Sequence, residues 1–218
     1  MPTKTGYVMN SISIIGVGNM ACALAGRALA GDNTVEIIGR DPDKAQALAA
    51  ALGGATAGTI GTNPAGDIVV LAVPYASAAA LVSEYGDALR GKVIIDITNP
   101  ITPDFTGFVT PDGTSGAQEI AKAAPASAHV VKAFNTLPSD VLAAGSVEGH
   151  PVDVFIAGDD IQAKKHVSVF VESLGMHPMD AGQLPMARAL ENATLLQLGL
   201  ITHSAKKPNL FLGVSILI

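Results

Sequence analysis

The sequence predicts an α/β fold of the Rossmann type: a doubly wound, mostly parallel sheet followed by a small C-terminal helical unit. Three observations predict it. Apolar runs of strand length alternate with Ala-rich stretches of helical spacing, the pattern of βαβ units. Most of these runs are apolar at every position, as strands covered on both faces must be. The first run, Ser11–Ile15, leads directly into Gly16-Val17-Gly18-Asn19-Met20-Ala21.

That junction is a Gly-x-Gly-x-x-Ala fingerprint in its proper strand–turn–helix context, so it reads as a dinucleotide site. Gly16 lets the chain turn tightly, and Gly18 has no Cβ to hold off a pyrophosphate. Ala21 lets the following helix sit close on the strand. The free N–H groups at the helix start carry partial positive charge toward phosphates.

Further strands are expected at 35–38, 68–73, 93–97, 129–133 and 152–157. Between them the spacing predicts helices over 19–30, 42–52, 76–85, 116–124 and 161–174, with a short helical piece at 136–141. Asp41-Pro42 is a favourable helix start, Asp as cap and Pro in the first turn. Loop 101–115, rich in Pro, Gly and Thr, follows the carboxyl end of the fourth predicted strand. It reads as a wall or lid of a ligand site or as an ordinary surface loop. Residues 185–206 are expected to form a buried helix, nearly apolar between Leu195 and Ile201, and the apolar segment 210–218 a buried or intersubunit strand. The domain division is 1–180 for the nucleotide-binding unit. Residues 181–218 would complete an acceptor site or a dimer contact.

Composition narrows the function. With 49% hydrophobic and 15% charged residues the chain has ample material for a core, and its net charge of −6 disfavours nucleic acid as a partner. The single cysteine, Cys22, excludes a disulfide framework and reads as a small buried helix residue. No apolar run is long enough to span a bilayer, and residues 1–10 read as a polar leader without a signal-peptide core. The expectation is a cytoplasmic protein, a homodimer through its apolar C-terminus, with a small-molecule redox partner.

The end of the second strand speaks to the cofactor. It reads Gly39-Arg40-Asp41-Pro42-Asp43-Lys44, with no acid at the strand tip, Arg40 next and Lys44 one helical turn on. Two cations suit a ribose 2′-phosphate, and charge-assisted bonds of roughly 1.5–3 kcal/mol each favour NADP over NAD. Asp41, the possible contact to a 2′-hydroxyl, is read as the helix cap.

At this point the chain resembles the NADP-dependent reductases of coenzyme F420, a deazaflavin. It is also similar to the oxidoreductase domain of the six-transmembrane metalloreductases. The resemblance rests on IIGVGNMA from Ile14, GRDPDK from Gly39, LAVPY from Leu71 and DITNP from Asp96. It continues with VVKAFNTLP from Val130, VFIAGD from Val154 and HPMDAGQLPMAR from His177. It implies that Val17, Gly18, Asn19 and Met20 hold the pyrophosphate and that Arg40 and Lys44 hold the 2′-phosphate. It implies that Ala72, Val73 and Pro74 pass under the adenosine–nicotinamide side, with Asn99 and Pro100 beside the nicotinamide ribose. Asn135, Thr136, Leu137 and Ser139 would line the meeting point with a deazaflavin or flavin ring. Gly39 departs from the reductases, which often carry serine there. Phe134-Asn135 resembles the metalloreductase domain more.

Hydride transfer between two heterocycles asks for stacking and exclusion of water more than for acid–base groups, so no catalytic side chain is assigned. The histidines lack metal-ligand spacing, and no metal site is expected. His129 reads as structural, Asp96 as a loop-holding acid, and Lys132, inside an apolar strand, as a salt-bridge or snorkelling residue. Two other readings stand beside this one: a pyrroline-5-carboxylate reductase-like imine reductase, and an NADPH-binding sensor without catalysis.

Overall fold

The computed structural model describes residues 9–207 and 209–215. An eight-stranded sheet is built from β1 (Ser11–Ile15), β2 (Thr34–Gly39), β3 (Thr56–Thr59), β4 (Ile68–Leu71), β5 (Val93–Asp96), β6 (His129–Lys132), β7 (Asp153–Gly158) and β8 (His177–Gly182). Its order is β3-β2-β1-β4-β5-β6-β7-β8. The first six strands run parallel in the doubly wound order 3-2-1-4-5-6, with the direction of winding reversing between β1 and β4. β7 pairs antiparallel with β6 over two residues, and β8 runs parallel to β7.

Helices α1 (Asn19–Ala30), α2 (Pro42–Leu52), α3 (Tyr75–Tyr85), α4 (Gly116–Ala123), α5 (Ser139–Ala144) and α6 (Ile161–Ser173) connect the strands, and α7 (Ala187–Leu200) follows β8. Ile12, Ile14, Val70 and Ile95 pack toward α1 in one apolar cluster. Ile15, Val69, Leu71 and Ile94 pack toward α3 and α4 in another. Alternate residues of the same strands thus serve opposite layers, the reason these strands read as continuous apolar runs. Asp41 caps α2 as expected, accepting from the N–H groups of Asp43 at 3.1 Å and Lys44 at 3.3 Å. Ser115 and Gln118 form a reciprocal capping box at the start of α4.

Several expectations need correction. Strands β4, β5 and β6 end before Val73, Ile97 and Ala133, because the chain leaves the ladder there to form the loops of the carboxyl edge. The outer strands β3 and β8 were not expected. β3 (TAGT) is largely exposed, and β8 holds Pro178 and a bulge between Asp180 and Gly182, so neither shows an apolar run. The short piece near 136–141 is helical only from Ser139. Cys22 is exposed on α1, not buried. The last helix is regular from Ala187 to Leu200 and closes with one π turn. Its apolar stretch is only partly covered: Leu196 is 56% exposed and Gln197 is the one buried position of 195–201, while Ala187, Leu190 and Glu191 are buried earlier in the helix. Residues 210–215 form no strand; Phe211 packs on the core and Val214 is exposed. The final residues of the expected 210–218 strand, like most of the expected leader at 1–10, lie outside the described part.

Candidate functional site

The site is assembled at the carboxyl edge of the parallel strands. Gly16 (φ +133°) ends β1, and its N–H donates to Ile38 O at 2.8 Å. A Cβ there would stand 2.1 Å from Ala72 O, so this glycine is required by the close passage of the β4 loop. Gly18 caps α1 with φ −85° and no side-chain cap, and a Cβ on it would meet nothing within 4 Å. Asn19 is exposed, and Val17 and Met20 are half-buried against the core. The N-terminal end of α1 therefore faces an open cradle with N–H groups that the helix itself leaves unpaired, the arrangement that takes an anion.

Gly39 is packed tightly; its Cβ would approach Val17 Cγ1 at 3.1 Å and Ala45 Cβ at 3.2 Å. A serine here requires its neighbours to give way. Arg40 is exposed and lines a cavity of about 330 Å³ with Ile60, Val73, Pro74, Ser77 and Glu84. Arg40, Val73 and Pro74 are thereby brought together. Lys44 is not among that cavity's lining; its ammonium lies 3.5 Å from Asp41. Ser77 and Glu84 escaped the sequence reading, although their spacing of seven puts them on one side of α3 below Pro74.

The loops after β5 and β6 are held by a buried ionic group. Lys132 Nζ is wholly enclosed, 2.9 Å from Asp96 Oδ2 and 3.0 Å from Glu191 Oε1, and it also donates to Thr98 O. Asp96 Oδ1 accepts from Thr98 N at 2.8 Å, and Glu191 Oε1 from Gly116 N at 2.9 Å. The salt-bridge reading of Lys132 holds, with a partner, Glu191, that lies 59 residues away and left no local signal. Burial pushes the Glu191 carboxyl above the ordinary glutamate range, against the pull of Lys132.

A carboxyl held more tightly protonated in the folded chain stabilises it fully below its unfolded value of about 4.3, and that stabilisation fades as pH rises through the folded value. The free energy of urea unfolding of the wild type, relative to Glu191→Gln, should therefore fall as pH is raised above about 4.3. A difference independent of pH between 4 and 8 would refute this.

Beyond Lys132 the chain turns at Phe134, a buried residue held at φ +62°, against whose ring Phe170 packs edge-on at 6.2 Å. A bulky residue in this conformation is strained, a feature common where a loop is fixed for function. The turn delivers Asn135 across to the neighbouring loop. Asn99 Nδ2 donates to Asn135 O at 2.9 Å, and Asn135 Nδ2 to Asn99 Oδ1 at 3.0 Å and Leu190 O at 3.1 Å. Thr194 Oγ1 donates to Asn135 O and Gln197 Nε2 to Thr136 O. Asn99, Asn135, Thr136 and Leu137 share a cavity of about 240 Å³ with Thr194, Gln197 and Leu198 of α7. Pro100 is buried, its carbonyl accepting from Val109 N, and Ser139 opens α5 without lining that cavity. Asn135 Oδ1, Thr98 Oγ1 and Glu191 Oε2 are buried and accept no hydrogen bond among the described residues. Of these three residues only Asn135 lines the cavity. A separate groove of about 810 Å³, lined by His150, Asp153, Met176, His177 and Phe211, contains none of the expected site residues.

Fold order, glycine cradle and cation at the β2 end define a dinucleotide-binding α/β protein. Residues 11–100 match the family model described as NADP oxidoreductase, coenzyme F420-dependent. The chain is 29% identical over 209 residues to the F420-dependent NADP reductase of Methanothermobacter thermautotrophicus, covering 88% of this chain and 89% of that one. It is 31% identical over 183 residues to the metalloreductase STEAP3 of Rattus norvegicus, 83% of this chain but only 35% of that longer protein's length. The crystal structure of the hypothetical protein SMa0349 from Sinorhizobium meliloti superposes with a TM-score of 0.74 at 33% identity, covering 81% and 86% of the two chains. The chain is thus similar to the coenzyme F420-dependent NADP oxidoreductases, the family model matching its first part and the archaeal reductase nearly its whole length.

Proposed function

We propose that this protein transfers a hydride between NADPH and a deazaflavin or flavin-like acceptor. The observation that carries the reading is the paired Asn99–Asn135 lock at the ends of β5 and β6. It leaves Asn135 Oδ1 without a hydrogen-bond partner among the described residues, in the wall of a cavity that mixes amide and hydroxyl groups with Leu137, Pro138, Leu198 and Ile201. The cradle at Gly18 and the Arg40 cavity fit the pyrophosphate and adenosine ends of the same cofactor. Bound there, the nicotinamide supplies two electrons and a proton as hydride. Val17 to Met20 offer backbone N–H groups to the phosphates, and Arg40 offers a guanidinium to the 2′-phosphate, with Lys44 reaching it when released from Asp41. Ala72, Val73 and Pro74 form an apolar floor, and Leu137 and Leu198 keep water from the reacting carbons. Pro100 and Gly39 shape these loops through their backbone carbonyls, which accept from Val109 N and Ile60 N, and Thr136 and Ser139 carry the chain on into α5. The C-terminal unit completes the acceptor side through α7, and the reading includes a homodimer in the cytoplasm, with Leu196 of α7 exposed to a second copy.

The test is anaerobic mixing with NADPH and either coenzyme F420 or FMN, followed by nicotinamide absorbance. Oxidation of NADPH by one acceptor is expected; binding without oxidation by either sinks the proposal. Arg40→Ala should raise the KM for NADPH about 10- to 100-fold, the loss of one charge-assisted phosphate contact, while the KM for NADH stays within about twofold. Equal effects on both nucleotides would remove Arg40 from the 2′-phosphate site.

A further inference from the structure

We propose that Arg188 is a positioning residue for the acceptor: it clamps loop 101–115 as a wall beside the Asn99–Asn135 lock. The proposal rests on the hydride-transfer reading and assigns the residue that shapes the acceptor side of that site.

The loop leaves the carboxyl edge at Pro100 and returns to it at Ser115. Its near limb is organised by its own bonds: Thr102 N donates to Gly107 O at 3.0 Å, Thr102 Oγ1 to Asp104 Oδ1 at 2.6 Å, and Ile101 bridges Phe108. Its far limb is gathered by Arg188, in the first turn of α7. The guanidinium carbon lies 3.7 Å from the centre of the Phe108 ring, and Nη1 donates to Thr110 Oγ1 at 2.9 Å and to Thr114 O at 3.2 Å. One planar group thus stacks on a ring and bonds two points of the loop at once, which an ammonium cannot do. Behind it stands Glu191 Oε2 at 3.9 Å, and the other oxygen of that carboxylate holds Lys132 and Gly116. Arg188 therefore joins the loop to the same ionic group that fixes Thr98 beside Asn99. The clamped loop presents the exposed apolar side chains of Phe105 and Val109, a surface suited to a ring-shaped acceptor rather than to the charged end of the nucleotide. The loop lines neither the Arg40 cavity nor the Asn99 cavity; its link to the lock runs through Pro100, next to Asn99, and through Arg188 and Glu191 of the helix that carries Thr194 and Gln197.

The experiment compares wild type, Arg188→Lys and Arg188→Met as full-length proteins. Amide hydrogen exchange is measured with NADPH present, and steady-state kinetics with FMN or coenzyme F420 varied at saturating NADPH. For Arg188→Met, exchange at 102–114 should quicken about tenfold or more and the acceptor KM should rise about tenfold, with lysine falling between. Exchange at 16–20 and the KM for NADPH should stay within about twofold, a split that general loosening of the fold would not produce. Unchanged exchange in the loop overturns the proposal, and so does an equal rise in the NADPH KM. If the wild type reduces neither acceptor, the hydride-transfer reading fails by itself, and the exchange comparison still decides whether Arg188 holds the loop.

Discussion

Replacing Gly18 by valine should weaken NADPH binding by about 100-fold or more while leaving the melting temperature within a few degrees of wild type. The backbone at Gly18 (φ −85°, ψ −176°) is extended and suits a β-branched residue, and a Cβ there meets no protein atom within 4 Å. The side chain would instead fill the cradle in front of α1, where phosphate oxygens need direct access to the N–H groups. Loss of two such charge-assisted bonds, at roughly 1.5–3 kcal/mol each, sets the size of the effect. Gly16→Ala is the informative contrast: with φ +133° and Ala72 O only 2.1 Å from the new methyl, it should damage folding itself. Fluorescence titration with NADPH and thermal unfolding separate the two outcomes. A Gly18→Val protein that still binds with wild-type affinity would mean the nucleotide does not cross α1.

The second large effect concerns stability. Lys132→Met should cost about 3–5 kcal/mol in urea unfolding, because Asp96 and Glu191 remain enclosed with no cation between them. Adding Asp96→Asn and Glu191→Gln should recover much of that loss, since the penalty comes from uncompensated charge and not from the missing ammonium stem. A single variant within about 1 kcal/mol of wild type, the range of exposed ion pairs, would show that the three side chains are far better solvated than their burial implies.

Much of the architecture was legible because parallel strands buried on both faces write themselves as unbroken apolar runs. Ser11–Ile15 and helices Asn19–Ala30 and Pro42–Leu52 appear at the bounds expected of them. The edge strands were not legible, because Thr56–Thr59 buries almost nothing and His177–Gly182 carries a proline and a bulge. The grouping of Arg40 with Val73 and Pro74 could be anticipated for a related reason, since the glycines and Arg40 are marked by local backbone geometry or a single charge. The partners of the Asn99–Asn135 lock on the last helix could not. Glu191, Thr194, Gln197 and Arg188 act by reaching groups between 59 and 78 residues distant, and nothing in a helix of mixed leucines and polar residues announces such targets. Reading Leu195–Ile201 as the buried side of that helix followed hydrophobicity. Within that stretch the structure buries only Gln197, and earlier in the helix Glu191 beside Ala187 and Leu190; the bonds of the two polar side chains to Thr136 O and to Lys132 offset their desolvation.

The division of the two cavities along the chain has an evolutionary consequence. The lining of the Arg40 cavity runs from residue 40 to 84, whereas the cavity at Asn99 draws on residues 99 to 210. Between them, the turn through Arg90 and Gly91 leads into the amino end of β5, at the edge of the sheet away from both. A recombination crossover in that turn would exchange one half without rewriting the other. On the proposed reading, such an exchange would keep the Arg40 cavity while replacing the cavity at Asn99.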